Sequence, residues 1–389
     1  MNTRGTSMSE NKTQIGLNVW RSANPSISTK GEWSVNGYAF LKSGINEITH
    51  NYGLPGLICG YFNSEIGYKS ISAGYADVGH KNRIHDGLRF RLCSLSKIIT
   101  SHMIFKLSKD GLLDLDAPVG NILPNLDDDY TTLKSITVRS ILKMMDGFPA
   151  YDIPNRIGED IEDIQIKQTP SLEDILNYLD NDSMREYKGF WYGPNSYLFL
   201  GKIIEAIVKA DYEGACKEYL HLTESFSIGN IGTSSKNEVT YYAAENFDDE
   251  LAKKMMVCGR NAAYSSALIS LREGTGGWIA TPHEAIEYFV KLLHSTDGYR
   301  EFMDENAVQL REGRRYSCGF FQYTDEIIVR EGFLPGVCSS IAISSSNPTA
   351  AFCFSNASPA DKINALRYMN LLVTGMLSSE MAGEGVNMV

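Results

Sequence analysis

The chain has 389 residues, 43% of them hydrophobic and 21% charged, the composition of a globular protein large enough to carry a second lobe on its main core. Its 36 basic and 47 acidic side chains leave a formal charge of −11, which argues against nucleic acid and anionic membrane as main partners, because phosphate recognition needs concentrated Lys and Arg. Cys59, Cys93, Cys216, Cys258, Cys318, Cys338 and Cys353 stand singly with no CxxC pair, so they read as buried thiols of a reducing compartment rather than a disulfide framework. Met1 to Ile15 is polar without an apolar secretory core, and no apolar run is long enough to span a bilayer. These features predict a cytoplasmic protein without membrane association.

Residues 1–30, rich in Ser, Thr, Asn and Lys, predict a flexible lead-in. Leu57–Phe62 and Lys69–Tyr75 read as two strands joined by a turn near Asn63 to Gly67. After Ser94 the apolar residues Ile98, Ile99, Met103, Ile104 and Leu107 recur at helical spacing, and Gly111 supplies a stop. Residues 112–260 carry no clear strand run and include an amphipathic helix over Tyr197–Lys209. Thr281 and Pro282 have the chemistry of an N-cap and first helical turn, leading into Ala285–Leu293. Tyr316–Tyr323, Glu326–Arg330, Ser339–Ser344 and Ala350–Ser355 read as strands in hairpin succession, with a turn at Asn347-Pro348 and a closing helix over Ala360–Leu377. The expected fold is α/β in the α+β sense: a mainly antiparallel sheet flanked by helices, with an inserted helical lobe. Residues 31–110 and 270–389 form the discontinuous sheet domain, and residues 111–269 form the lobe.

Ser94-Leu95-Ser96-Lys97 fits the spacing S-x-x-K, which also occurs at Ser9–Lys12 and Ser140–Lys143 and therefore means little alone. What separates Ser94 is its place between a strand-like run and an amphipathic helix. At a helix start, residues three apart share a face, and the helix dipole favours negative charge on the hydroxyl. A desolvated Lys beside it can lose its proton and accept the serine's. The histidines show no paired-ligand spacing, so neither metal nor cofactor is expected. Cys93 reads as a packed thiol pointing away from the site.

Phe90 to Lys97 resembles the F-R-[IL]-[AG]-S-[VL]-[ST]-K block of the serine β-lactamase-related and penicillin-binding protein family. Further blocks follow in the family's order: Gly111 to Val119, Ile136 to Leu142 ahead of Asp146-Gly147-Phe148-Pro149, Tyr192 to Glu205, Gly276 to Thr281, and Gly332 with Gly336. The resemblance spans roughly residues 53–375. It implies Ser94 as nucleophile, Lys97 as its activator and Tyr192 as proton relay, with an oxyanion hole made by the backbone N–H groups of Ser94 and Phe333, just after Gly332. Tyr192 also has a plainer reading, as a packed loop aromatic.

Departures from the pattern are informative. Pro194 occupies the usual asparagine position; either Asn195, one residue late, replaces the missing amide or the site lacks it. Arg330 stands where Lys or His is common, either as a clamp for a substrate carboxylate at the cleft edge or as a strand-end residue paired with Glu331 or a surface acid. Met144-Met145-Asp146-Gly147 replaces H-x-S-G. Three functions follow: a hydrolase of a small ester, amide or peptide; an acyltransferase of small-molecule biosynthesis; or a non-catalytic binding protein on the same fold. The expected partner is a small-molecule substrate, and the sequence specifies no oligomeric state.

Overall fold

Apolar runs from the two ends of the chain meet in one sheet. The computed structural model describes residues 27–31, 35–123, 126, 130–149, 172–176, 184–185, 189–230, 233–243, 273–334, 336–358 and 362–383. The main-sheet strands are numbered in chain order: β1 (Ile27–Lys30), β2 (Gly56–Asn63), β3 (Gly67–Asp77), β4 (Val308–Gln309), β5 (Arg315–Ser317), β6 (Phe320–Gln322), β7 (Ile327–Leu334), β8 (Val337–Ser344) and β9 (Thr349–Ser355). They lie in the order β1-β3-β2-β9-β8-β7-β6-β5-β4, every pair antiparallel, with Asn82–Arg83 beside β3. The seam between N-terminal and C-terminal strands is β2 against β9, where Cys59 faces Cys353.

Among the described residues, helices of eight or more residues are α1 (Val35–Tyr52), α2 (Ser96–Lys109), α3 (Asn195–Val208), α4 (Tyr212–Leu220), α5 (Pro282–Leu293) and α6 (Lys362–Gly383). One sheet face is covered by α1 and α6, through Leu41, Ile45 and Ile48 against Met369, Leu372 and Val373. The other face packs on α2, α5 and the helical elements between them. With helices on both faces, β2, β8 and β9 are buried along their whole length, which is why β2 and β9 read as mostly apolar runs. The predicted turn after β2 is an Asx turn: Asn63 Oδ1 accepts the N–H groups of Glu65 and Ile66, and Gly67 takes φ +91°.

The details correct the sequence reading in three places. Ile27–Lys30 is not loose lead-in but β1, paired with Ser70 to Ala73 of β3. The single strand expected over Tyr316–Tyr323 is a hairpin, because Cys318 and Gly319 both adopt left-handed backbone and turn the chain inside an apolar run. Within residues 112–260, Ser227–Ile228 and Tyr242–Ala243 are short strands. The helix start at Thr281 stands as read: its hydroxyl accepts the N–H of Glu284, with Pro282 in the first turn. Six cysteines among the described residues are buried free thiols, and Cys258 lies outside them.

Candidate active site

Phe90–Arg91 pairs with Trp278–Ala280, and two bonds pin the turn that follows: Leu92 N–H to the Trp278 carbonyl at 2.8 Å and Trp278 N–H to Ser96 Oγ at 3.2 Å. Cys93 is left-handed at φ +50°, a conformation that a non-glycine residue adopts only where its surroundings enforce it. That backbone turn delivers Ser94 into a short 3₁₀ segment, Cys93–Leu95, immediately before α2. Ser94 is half-buried, whereas the Cys93 thiol is fully buried and pushed up to about 12 by that burial, against the charges of Arg91 and Lys97. Cys93 is therefore the packed thiol expected from its position.

Lys97 is only 2% exposed. Its Nζ donates to Ser94 Oγ at 3.3 Å and to the Thr275 carbonyl at 3.0 Å, and lies 5.2 Å from the centre of the Tyr192 ring. The accepting carbonyl belongs to a one-turn π-helix, Glu273–Gly277. Such turns are rare and cluster at functional sites. Thr100 Oγ1 holds this one in place by donating to the Gly274 carbonyl at 2.5 Å. The last two glycines of this Glu-Gly-Thr-Gly-Gly run open the Gly276 to Thr281 block, while Thr275, which supplies the carbonyl, lies just ahead of it.

Tyr192 lies on irregular backbone just before α3. Its residue exposure is 39%, but the hydroxyl end is enclosed by Ser94, Lys97 and Arg330. Burial of the phenol raises its pKa, yet the charges of Arg330 and Lys97 and hydrogen bonds from Ser94 and Lys97 outweigh it and bring the group down to about 8.

Arg330 is not paired with Glu331. It is 2% exposed on β7, with Nε donating to the Ser94 carbonyl at 3.2 Å and an Nη donating to the Tyr192 hydroxyl. The guanidinium stacks 4.9 Å from the Tyr192 ring centre and 5.5 Å from that of Phe321. Alternation along the strand sends Glu331 the other way, onto Asn370 of α6. Two positions on from Arg330, a Cβ on Gly332 would collide with Ser339 Oγ and come within 2.8 Å of Cys93 Cβ, so only glycine lets β7 close on the turn that carries Ser94. This contact brings the half-buried Phe333 and its peptide beside that turn.

Asn195 is buried at the start of α3 and its amide donates to the Pro149 carbonyl at 3.3 Å. That contact joins it to the 144–149 turn. The chance match at Ser140 is a structural hydroxyl bonded to the Thr137 carbonyl at 2.7 Å, and Ser9 lies outside the described residues. No group of three or more metal-ligating side chains occurs among the described residues, and no described helix is long and apolar enough to cross a membrane.

The family model described as Beta-lactamase matches residues 41–373. "Protein flp" of Staphylococcus aureus (strain N315) is 23% identical over 285 residues, covering 69% of this chain and 53% of the relative. The chain thus spans about half the length of the curated relatives it matches. Among solved structures, the D-amino acid amidase from Ochrobactrum anthropi SV3 in complex with L-phenylalanine amide superposes with a TM-score of 0.68 at 16% identity, over 90% of this chain and 100% of that one. A class C beta lactamase from Rhodobacter sphaeroides gives 0.66 at 15% identity, over 88% and 99%. Both likenesses establish the shared fold.

Proposed function

The chain belongs to the beta-lactamase family, and from that premise we propose that it is a serine hydrolase that cleaves a small ester, amide or peptide through an acyl-enzyme on Ser94. One observation carries the reading: a serine hydroxyl, a buried lysine amine and a phenol of lowered pKa converge on one point. At pH 7 roughly a tenth of such a phenol is ionised, enough for a general base that reforms rapidly.

In the proposed sequence the Tyr192 phenolate takes the Ser94 proton as Oγ attacks the substrate carbonyl. Lys97 donates to Oγ and steadies its developing charge, and the start of α2 adds its dipole. Collapse of the tetrahedral species breaks the bond to the alcohol or amine, which leaves with the proton returned by Tyr192. Water then attacks the acyl group while Tyr192 accepts its proton, and Ser94 recovers that proton when the acid departs. Arg330 acts through Tyr192, because a fixed cation on the phenol offsets the burial that would otherwise keep it protonated.

Exposure to a panel of p-nitrophenyl esters, amino acid amides and a penicillin, followed by rapid acid quench and peptide mapping, tests the reading. It requires a mass increase equal to the acyl group on the Ser94 peptide for at least one compound. An acyl group mapped elsewhere, or turnover that survives loss of the Ser94 hydroxyl, sinks it.

A further inference from the structure

The turn at Met144 to Pro149 holds the Tyr192 segment from both sides. Before Tyr192, Arg185 N–H and Nε donate to the Gly147 and Phe148 carbonyls at 2.7 and 2.6 Å, and Trp191 N–H donates to the Met144 carbonyl at 3.0 Å. After it, Asn195 donates to the Pro149 carbonyl and Ser196 Oγ donates to Asp146 Oδ2 at 2.6 Å. Asp146 is 1% exposed, and its other oxygen accepts Phe148 N–H at 2.8 Å. Left-handed backbone at Met144 (φ +53°) and Gly147 (φ +81°) brackets this carboxyl and shapes the turn around it. Pro194, at the position where the family pattern has an amide, brings no side-chain hydrogen bond of its own, so Asp146 and Ser196 make the first side-chain anchor after Tyr192 in which a carboxylate takes part.

We propose that Asp146 is a positioning residue for Tyr192, acting as a carboxylate through Ser196 in the first turn of α3. The proposal rests on the reading of Tyr192 as proton relay. Ionised, the carboxyl accepts from Ser196 Oγ and from Phe148 N–H at once. Protonation puts a hydrogen on one oxygen, so one of these two donors loses its acceptor or must reverse, and the start of α3 loosens beside Tyr192. Among the described residues, the charged group facing Asp146 is Arg185, from the segment ahead of Tyr192; Ser196, the Phe148 backbone and its own backbone N–H are its other partners.

The energetics fit a functional role. Burial lifts the carboxyl from 3.8 to about 6, against the opposing bonds from Ser196 and Phe148 and the charge of Arg185. A carboxyl raised in the folded state contributes stability that is full below the unfolded value near 3.8 and lost as pH rises through about 6. At neutral pH the ionised group therefore weighs against the fold, as groups held for activity often do.

The test compares the full-length protein with Asp146→Asn, Ser196→Ala, their double variant and Tyr192→Phe. It measures p-nitrophenyl acetate turnover and the second-order rate of fluorophosphonate labelling at Ser94. Asp146→Asn keeps the shape and removes the charge. The expected result is a kcat and labelling rate lowered about tenfold or more in Asp146→Asn and Ser196→Ala, with KM nearly unchanged and the double variant no worse than the poorer single one. Asp146→Asn should also melt no lower than wild type at pH 7.5, a combination that a merely structural role would not give. Below about pH 6 the wild-type rate should fall more steeply than that of Asp146→Asn. Wild-type rates in Asp146→Asn at every pH, or a rate loss that tracks a fallen melting temperature, overturn the proposal. If Tyr192→Phe itself retains the wild-type rate, the proton-relay reading fails instead.

Discussion

Ser94 and Tyr192 reach the same point on two different mounts. Ser94 and Lys97 stand where a paired strand turns into α2, wedged between the π-turn and β7, with Gly332 drawn onto Cys93. Tyr192 stands on irregular backbone, held by hydrogen bonds from its neighbours to the 144–149 turn, with Arg330 and Lys97 at its hydroxyl. A residue fixed by packed regular elements is hard to tune without unfolding something. One fixed by separate polar contacts can be adjusted through each of them, in rate and in pH response. The contrast can be broken or sharpened one contact at a time.

The largest effect belongs to the packed mount. Lys97→Ala removes the donor to Ser94 and should lower acylation about 10²–10⁴-fold, read as the labelling rate with a fluorophosphonate. A loss under tenfold would mean that Tyr192 alone activates the serine. Gly332→Ala forces a methyl group into Ser339 and the nucleophile turn, and should cost about 1–3 kcal/mol by denaturant unfolding. Activity should fall with it. If the fold is unharmed, the close approach of β7 to Cys93 is not what holds that mount.

The polar mount should respond in pH before it responds in stability. Arg330→Gln removes the leading charge that lowers the Tyr192 pKa, and burial then pushes the phenol up from about 8. The rising limb of the kcat profile should move to higher pH, with roughly a tenfold loss at pH 7.5 for every pH unit the limb moves and recovery in more alkaline buffer. An unmoved profile would detach Arg330 from Tyr192. Asn195→Ala should be the mildest change, costing about 1 kcal/mol of stability from one buried hydrogen bond while leaving the pH profile in place.

The same contrast explains what the sequence could convey. Ser94 and Lys97 are three residues apart, so their partnership is written in local spacing, and the strands of the β2–β9 seam declare themselves as mostly apolar runs because both faces are covered. Even α1, absent from the sequence reading, carries Leu41, Ile45 and Ile48 at helical intervals. Arg330 reaches the Ser94 carbonyl from 236 residues away, and which of two neighbours on a strand turns toward the site depends on register. Asp146 was equally hidden, since its meaning lies in the left-handed backbone at Met144 and Gly147 that no residue pattern spells out. The β5–β6 hairpin was obscured because its turn uses Cys318, an apolar residue in a left-handed conformation, rather than a polar turn residue.

The central claim is that Ser94, and no other hydroxyl with the same spacing, is the nucleophile. Its most direct test is intact-mass spectrometry after a fluorophosphonate is mixed with wild type, Ser94→Ala and Ser140→Ala, each checked for an unchanged circular dichroism spectrum. The account predicts a single adduct on wild type and on Ser140→Ala, and none on Ser94→Ala. A folded Ser94→Ala protein that still takes up one equivalent at the wild-type rate would contradict it.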